Sequence, residues 1–295
     1  MKILISNLPE NPWWGHGTPL YENNPAMREG VVPDQELVEI EIFLLKNLFQ
    51  FLPFEILELD FPYILDQHNF NLRKHDFVFV RDLFISNQKG DIIISKFRER
   101  ERQIEADIMQ VILDAMGYQT KRIPEEEPAY AEGGEFYYCP KENILFTGIS
   151  RNNQRGSELV AEMLGVSEML MIKTAAFHLD TIFTPVMNRA GDTVAVIAAL
   201  EIMDTTSQKE LQQYCRKKNM ELIDVPPEDA IGTSRVLGDF ATNCLPLPGY
   251  LIGPSRFRSP NIVPLLASLD VKHITIPTTQ FRLSGGAIHC LTNEL

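Results

Sequence analysis

The sequence predicts an α/β fold in which five strand-strand-helix-strand units close into a ring. The same order of strand-like and helix-like segments recurs roughly every 50–65 residues, a repeat length typical of solenoids and propellers. The last copy lacks a helix and a strand, which the first residues of the chain can supply. The chain has 295 residues, of which 44% are hydrophobic, so it can bury a substantial core. We expect residues 1–295 to form a single domain.

The first residues supply the parts that complete the ring. Lys2–Ser6 is a short apolar run typical of a strand. A broadly apolar segment from about residue 33 to residue 52 predicts a helix, with Asp34 as its N-cap because a carboxylate there can accept a free backbone N–H. The N-terminal strand would complete the last unit and hold the C-terminal tail beside it.

The first full unit follows residue 53. Residues 54–59, 77–82 and 91–95 are strand-like, and the helix that follows should end before Gly117. The apolar positions of this helix share one face at helical spacing: Phe97, Ile104, Ile108, Val111, Ile112 and Ala115. The mixed charges of residues 98–102 then predict a solvated face.

The remaining units repeat this order of elements. Helices are predicted around residues 156–164, 207–217 and 262–269. Strand-like segments are 118–123, 132–136, 144–148, 177–181, 193–200, 220–226, 243–245, 250–253 and 271–277, and a further strand begins near Met169. The fifth unit passes through the stretch that contains Cys290 and then reaches the end of the sequence.

Closure of the ring predicts where chemistry can assemble, since the middle strand of each unit contributes one short stretch to the axis. These stretches contain, in chain order, Asp82, Glu132 with Glu135, His178 with Asp180, Asn243, and Cys290. Taken singly, each residue has an ordinary structural explanation, and a buried cysteine is usually a small hydrophobic side chain. Their matching places in successive units favour one shared pocket.

This set of residues predicts covalent chemistry on a guanidine. A cysteine nucleophile needs a base or a cation to hold it as thiolate, which His178 could provide while Glu132 fixes its tautomer. Asp82 and Asp180 match the N–H forks of a planar guanidinium. A zinc site made of His178, Cys290 and an acid is the competing interpretation, but its ligand spacing fits no recurrent zinc pattern. The sequence contains no G-x-S-x-G motif, so nothing in it indicates a serine hydrolase of that type.

Composition narrows the class of protein further. A net charge of -13 disfavours a nucleic-acid partner and mildly favours a cationic small molecule. The four cysteines are far apart with no CxxC pair, which indicates a reduced, cytoplasmic protein. No run approaches the roughly 18 apolar residues of a membrane helix, so no membrane partner is expected. No cofactor or metal is expected, and the sequence is compatible with a homodimer without defining the oligomeric state.

Four motifs resemble those of the guanidine-modifying enzymes of the pentein, or five-bladed α/β propeller, superfamily. They are FVRD at 79–82, EGGE at 132–135, FHLDTIF at 177–183 and GGAIHCLT at 285–292. The superfamily includes arginine deiminases, amidinotransferases and dimethylarginine dimethylaminohydrolases. Residues 146–158 are most similar to the dimethylarginine hydrolase branch. The resemblance extends from about Phe77 onward, whereas the first seventy residues match only loosely.

The resemblance implies a role for each matched residue. Cys290 would attack the guanidinium carbon and form a thiouronium, and His178, oriented by Glu132, would protonate the departing amine and later activate water. The substrate would be bound by Asp82 and Asp180 at the guanidinium and by Arg151 at a carboxylate, with Glu135 as a further substrate-binding residue. Glu135 stands where the family usually has aspartate, so the floor of the substrate pocket should differ in shape.

The resemblance implies a hydrolase that converts an arginine-like guanidine into a ureido product plus an amine or ammonia. Amidino transfer to an amine would use the same residues, and a non-catalytic propeller that binds another protein is the alternative of a different class. The loop at residues 11–28 is placed to form a lid over the pocket, or else an ordinary surface loop with Trp13 and Trp14 packed down.

Overall fold

The structure, a computed structural model, describes residues 1–14, 24, 26, 27, 31–71, 75–233 and 236–295. In this part of the chain, fifteen strands form five three-stranded sheets, accompanied by six α-helices. The helices are α1 (Gln35–Phe49), α2 (Tyr63–Asn71), α3 (Gln103–Ala115), α4 (Gln154–Leu164), α5 (Thr205–Lys218) and α6 (Ile262–Ser268). The strands are β1 (Lys2–Ser6), β2 (Glu55–Leu59), β3 (Phe84–Ser86), β4 (Ile92–Ile94), β5 (Thr120–Arg122), β6 (Phe136–Cys139), β7 (Ile144–Ile149), β8 (Glu168–Lys173), β9 (Phe183–Met187), β10 (Thr193–Ala198), β11 (Glu221–Asp224), β12 (Leu245–Leu247), β13 (Tyr250–Gly253), β14 (Lys272–Thr275) and β15 (Asn293–Glu294). None of the described helices is long and apolar enough to cross a membrane.

Every sheet is built in the same way. Its first two strands pair antiparallel, as β6 does with β7, where Phe136 lies opposite Thr147. The chain then crosses over through a helix, and the third strand pairs parallel to the second, as β8 does with β7. A parallel neighbour requires such a crossover, because a tight turn can join only antiparallel strands. The predicted α/β fold of five strand-strand-helix-strand units is confirmed.

The fifth sheet joins the two ends of the sequence. Its order is β15-β1-β2, with β15 antiparallel and β2 parallel to β1. Backbone hydrogen bonds link Lys2 and Leu295 in both directions, at 3.2 and 2.9 Å. The buried carboxylate of Glu41 in α1 also accepts the backbone N–H of Thr279 at 2.6 Å. The tail that carries Cys290 is therefore held by the N-terminal segment.

Helix α1 follows the expected start signal. The Asp34 carboxylate accepts the backbone N–H of Leu37 at 3.2 Å, which satisfies one of the free donors at the helix N-terminus. The helix ends at Phe49, a few residues before the predicted end. Its inner face packs into the core through Val38, Ile42, Leu45 and Phe49.

The predicted inner face of α3 is wrong in part. Ile104 and Val111 are exposed, whereas Ile108 and Ile112 are partly buried against the core, and the fully buried positions are Glu105, Ala106, Met109 and Leu113. The buried stripe still has helical spacing, but it is rotated towards an acidic residue because Glu105 pairs with a buried cation. A pattern based on apolar side chains alone could not place that face.

Three predicted strands near the axis are also wrong over much of their length. Short 3₁₀ turns occupy Val80–Leu83, Gly133–Glu135 and Leu179–Thr181, and strands β3, β6 and β9 begin only after them. All three segments are almost fully buried, so their hydrophobicity resembled that of buried strands. The difference matters because each turn contains an acidic residue, namely Asp82, Glu135 or Asp180.

Candidate active site

The candidate site is assembled where the three 3₁₀ turns meet the tail. The first turn binds the tail directly, because the Arg81 N–H donates to the carbonyl of Cys290 at 3.2 Å. Asn293 adds a second link, since its amide donates to the carbonyl of Phe84 at 3.0 Å. Gly134 permits close approach of the other turns: a Cβ there would lie 2.6 Å from Nδ1 of His178 and 2.8 Å from Oδ1 of Asp82.

Cys290 is buried beside a carboxylate and an amide. Its Sγ donates to Oδ2 of Asp180 at 3.2 Å, and Nδ2 of Asn243 donates to the same sulfur at 3.2 Å. Burial, reinforced by the negative charges of Asp180 and Asp82, raises the pKa of the thiol well above its ordinary value. This environment therefore favours the thiol over the thiolate. The role of His178 in holding a thiolate stays a prediction.

His178 lies between two carboxylates. Its Nε2 is 2.9 Å from Oε2 of Glu132, and its Nδ1 is 3.7 Å from Oδ1 of Asp82. Burial alone would lower the pKa of His178, but the charge of Asp82 and the hydrogen bond to Glu132 outweigh it and raise the pKa above its ordinary value. The imidazole is therefore suited to carry a proton that it can give away.

Glu132 is the ionised partner of this histidine. Burial would raise the pKa of Glu132, yet the hydrogen bond from His178 and the charge of Arg151 lower it to about 2. Oε1 of Glu132 also accepts the backbone N–H of Arg98 at 3.1 Å, and Nη1 of Arg151 lies 3.4 Å from Oε2. The carboxylate is thus fixed in position beside His178.

Asp82 is anchored by an arginine that the sequence interpretation assigned to the solvent. Arg102 is 4% exposed, and its Nη1 lies 2.6 Å from Oδ2 of Asp82. Its Nε and Nη2 donate to Oε2 of Glu105 at 3.1 and 2.8 Å. The i, i+3 spacing of Arg102 and Glu105 at the start of α3 was the available signal. Oδ1 of Asp82 has no hydrogen-bond partner among the described residues.

Asp180 accepts the hydrogen bond of the Cys290 thiol through Oδ2. Its Oδ2 also lies 2.9 Å from Nδ1 of His289, a contact that the sequence interpretation did not assign. Burial raises the pKa of Asp180 to about 7, against the lowering effect of His178. Oδ1 of Asp180 has no hydrogen-bond partner within the described part of the chain.

Glu135 lies behind the site and holds two of its segments. Its Oε1 accepts the Ser150 hydroxyl at 2.6 Å and the Arg151 N–H at 2.8 Å. Its Oε2 accepts the Leu179 N–H at 2.8 Å. Glu135 therefore fixes both the loop that presents Arg151 and the turn that presents Asp180.

A small cavity lies over the sulfur. Its walls include five of the residues discussed above, namely Asp82, Arg102, Arg151, His178 and Cys290. Its volume of about 20 Å³ corresponds to roughly one water molecule. An outer cavity of about 660 Å³ shares Arg151 and Phe177 with it. The space beside the sulfur, as the described residues enclose it, is therefore much smaller than the outer cavity.

Asn24 and the tail cover part of the inner cavity. Nδ2 of Asn24 donates to the carbonyl of Ser284 at 2.8 Å, and the left-handed backbone of Gly285 (φ 85°) leaves room for this contact. Trp13 and Trp14 are packed down, with the Trp13 ring 5.0 Å from that of Phe281. Most of the segment expected as a lid, residues 15–23, 25 and 28, lies outside the described residues.

Zinc ligation receives no support from the arrangement of side chains. Within the described residues, no group of three or more His, Cys, Asp and Glu side chains is placed to hold a metal ion. His178 and Cys290 instead make hydrogen bonds to separate acidic partners, Glu132 and Asp180.

Replacing Arg102 with methionine should lower the free energy of unfolding by about 3 kcal/mol or more, because Asp82 and Glu105 would lose a shared buried cation. Chemical denaturation measures this change. The neighbouring exposed Arg100 provides the control, and Arg100→Met should change stability by about 0.5 kcal/mol at most. Equal stability of the two variants would contradict the anchoring role of Arg102.

Comparison with known proteins places this geometry in a family context. Residues 63–295 match the family model described as N,N dimethylarginine dimethylhydrolase, eukaryotic. No curated protein matches the chain by sequence.

Solved structures show the same fold. The substrate-bound N-terminal domain of ArgZ, an arginine dihydrolase of the ornithine-ammonia cycle in cyanobacteria, superimposes with a TM-score of 0.79 at 20% identity, covering 99% of this chain and 97% of that one. The complex of AgrE with ornithine and NAD+ gives a TM-score of 0.78 at 19% identity, covering 99% of this chain and 38% of that one. A dimethylarginine dimethylaminohydrolase adduct with 4-chloro-2-hydroxymethylpyridine gives 0.70 at 17%, covering 100% and 99%.

Proposed function

The chain belongs to the eukaryotic N,N dimethylarginine dimethylhydrolase family of guanidine-modifying enzymes, and we propose that it hydrolyses the guanidine of an arginine-like amino acid through Cys290. One observation carries the proposal. The Cys290 thiol is buried beside Asp180 and under the electrostatic influence of Asp82, and each carboxylate keeps one oxygen without a partner among the described residues. A planar guanidinium can supply the missing N–H donors and the missing positive charge.

Binding of the guanidinium would activate the nucleophile. The same two carboxylates that disfavour a thiolate in the free enzyme would be neutralised by the cation. Oδ2 of Asp180, the hydrogen-bond acceptor of the thiol, is placed to take its proton. Cys290 Sγ would then attack the guanidinium carbon and form the C–S bond.

His178 would complete the first half of the reaction. As an imidazolium between Asp82 and Glu132, it can protonate the departing nitrogen while the C–N bond breaks. The products of this half are an amine or ammonia and a thiouronium on Cys290. The histidine, now neutral, would accept a proton from water as that water attacks the thiouronium carbon. The C–S bond then breaks, the sulfur takes back the proton held by Asp180, and the remaining proton of the attacking water leaves with the amine product or to solvent as the ureido C=O forms.

Arg151 suggests that the substrate carries a carboxylate. It lines the inner cavity together with Arg102, whose guanidinium already pairs with Asp82 and Glu105. Nε of Arg151 has no hydrogen-bond partner among the described residues, so a carboxylate can bind there in addition to Glu132. We assign Arg151, Asp82 and Asp180 to substrate binding, while Glu135 contributes from behind by holding the Arg151 loop.

The composition of the site supports a single domain, and the state of the cysteines supports a cytoplasmic location. Asp82, Glu132, Asp180, Asn243 and Cys290 come from five different units, which supports one domain over residues 1–295. The four cysteines are free and buried, which supports a cytoplasmic location. The proposed partner is a small guanidine. We also propose a homodimer, which measurement of the molecular mass of the protein in solution tests.

Product analysis with a panel of guanidines tests the proposed function. Arginine, methylated arginines and agmatine would each be incubated with the enzyme, with and without glycine or ornithine as an amine acceptor. Citrulline from arginine or a methylated arginine, formed without an acceptor, is the expected result. Product formation that requires the acceptor would indicate amidino transfer, and no turnover of any guanidine would overturn both.

A further inference from the structure

His289 directly precedes the nucleophile and touches its carboxylate partner. Nδ1 of His289 lies 2.9 Å from Oδ2 of Asp180, the same oxygen that accepts the Cys290 thiol at 3.2 Å. Both His289 and Asp180 are fully buried. The mechanism described above assigns His289 no task, although it contributes a donor to the one carboxylate that contacts the sulfur.

The surroundings of His289 fix its tautomer. Burial, together with the positive charges of Arg81 and His178, holds the pKa of His289 well below its ordinary value, so the ring is neutral. A neutral imidazole carries one N–H, and the carboxylate at Nδ1 selects that nitrogen as the donor. Nε2 has no hydrogen-bond partner among the described residues. An unpaired lone pair costs less free energy than an unpaired buried N–H would, so this also favours the proton on Nδ1.

The ring is also held in place. Tyr137 stacks on it with centroids 4.1 Å apart and planes at 27°. The backbone N–H of His289 donates to Oδ1 of Asn243 at 3.0 Å, and the same Asn243 donates to Cys290 Sγ. His289 thus presents its N–H to Asp180 from a fixed position.

Asp180 sits between opposing influences. Burial and the charge of Asp82 favour its neutral form, whereas His178, Arg81 and the thiol of Cys290 favour the carboxylate. Tyr137, whose ring stacks on His289, stays protonated because burial and the charge of Asp180 raise the pKa of its hydroxyl. The balance leaves the pKa of Asp180 at about 7, where the loss of one donor would change its charge near neutral pH.

We propose that His289 is a positioning residue that keeps Asp180 ionised and turned towards Cys290, so that the carboxylate can receive the guanidinium and the thiol proton. This inference rests on the proposed function. A protonated Asp180 could neither pair with a cation nor accept a proton, so without the His289 donor the acidic limb of the pH profile would move to higher pH.

Two variants of His289 test this role through the pH profile. His289→Leu removes the donor, and His289→Asn retains an amide N–H close to the position of Nδ1. In the leucine variant, the acidic limb of the kcat/KM profile should move up by about one pH unit or more. Activity at pH 7 should fall about tenfold, and the ratio of variant to wild-type activity should rise towards one as the pH increases, while the asparagine variant should follow the wild-type profile. A uniform loss at every pH in both variants, or an unmoved limb in the leucine variant, would overturn the proposal.

A second measurement does not depend on turnover or on the leucine variant. Two-bond ¹H–¹⁵N spectra of the wild-type protein without substrate report the tautomer of each histidine, and His289→Asn identifies the His289 signals. We expect a neutral ring protonated at Nδ1 from about pH 6 to pH 8. Titration of His289 in this range, or a proton on Nε2, would overturn the inference. Absence of guanidine turnover by the wild-type enzyme would instead refute the proposed function and leave this measurement interpretable.

Discussion

Replacing Cys290 with serine should reduce turnover by about 10⁴-fold or more while leaving the melting temperature nearly unchanged. The hydroxyl of serine occupies almost the same space and can keep the contacts to Asp180 and Asn243. It lacks the nucleophilicity of the sulfur, and the guanidinium that would activate a thiol cannot activate a hydroxyl to the same degree. Steady-state assay and thermal unfolding of the same preparation measure both quantities.

Cys215 provides the matched control. It is a buried thiol in α5 that does not line the inner cavity, and burial raises its pKa to about 11. Cys215→Ser should retain full activity. A thiol-reactive haloamidine should modify Cys290 before Cys139, Cys215 or Cys244. Its cationic amidine can bind near Asp82 and Asp180 and so lower the pKa of the Cys290 thiol. A large loss of stability in Cys290→Ser with activity retained would show that the cysteine is merely structural.

Replacing His178 with glutamine should lower kcat by about 10³-fold. The amide of glutamine can still donate to Glu132 from a position near that of Nε2, so the site should remain folded. What is lost is the group that protonates the departing nitrogen and later accepts a proton from water. The rate of C–N cleavage in a single turnover, compared with the binding of a guanidine, separates this loss from a loss of affinity.

The same histidine sets the alkaline side of the wild-type pH profile. The pKa of His178 is raised, so the imidazolium is present below that raised pKa and is lost as the pH rises through it. Wild-type kcat should therefore fall on the alkaline side, and this limb should be absent from His178→Gln. His273, whose pKa is lowered by burial to about 4, is the control, and His273→Gln should keep the limb. An alkaline limb that persists in His178→Gln would refute the role of His178 as acid.

The repeat was readable from the sequence because each unit has its own apolar strands and its own amphipathic helix. The N-terminal helix could be placed by its cap, Asp34, and the closure of the ring followed from the missing parts of the last unit. The residues that converge at the axis were identifiable because their types are chemically complementary. Cys290, His178 and two acids at equivalent places in successive units had few alternative explanations.

The features that the sequence did not reveal depend on contacts between units. Arg102 looked like part of a solvated charge run, and only its tertiary partners Asp82 and Glu105 explain why it is buried. The 3₁₀ turns around Asp82, Glu135 and Asp180 were hidden because a buried turn and a buried strand have similar hydrophobicity. The contact of His289 with Asp180 spans 109 positions, which no local pattern reports.

Trapping the covalent intermediate tests the central claim most directly. The enzyme would be mixed with arginine or a methylated arginine, quenched in acid during turnover, and digested for mass spectrometry, with Cys290→Ser treated in parallel. We predict a thiouronium on the peptide that contains Cys290, with the amino-acid part of the substrate retained and only the departing amine lost. An adduct on another cysteine, no adduct during turnover, or a bare amidino group on Cys290 would contradict this account.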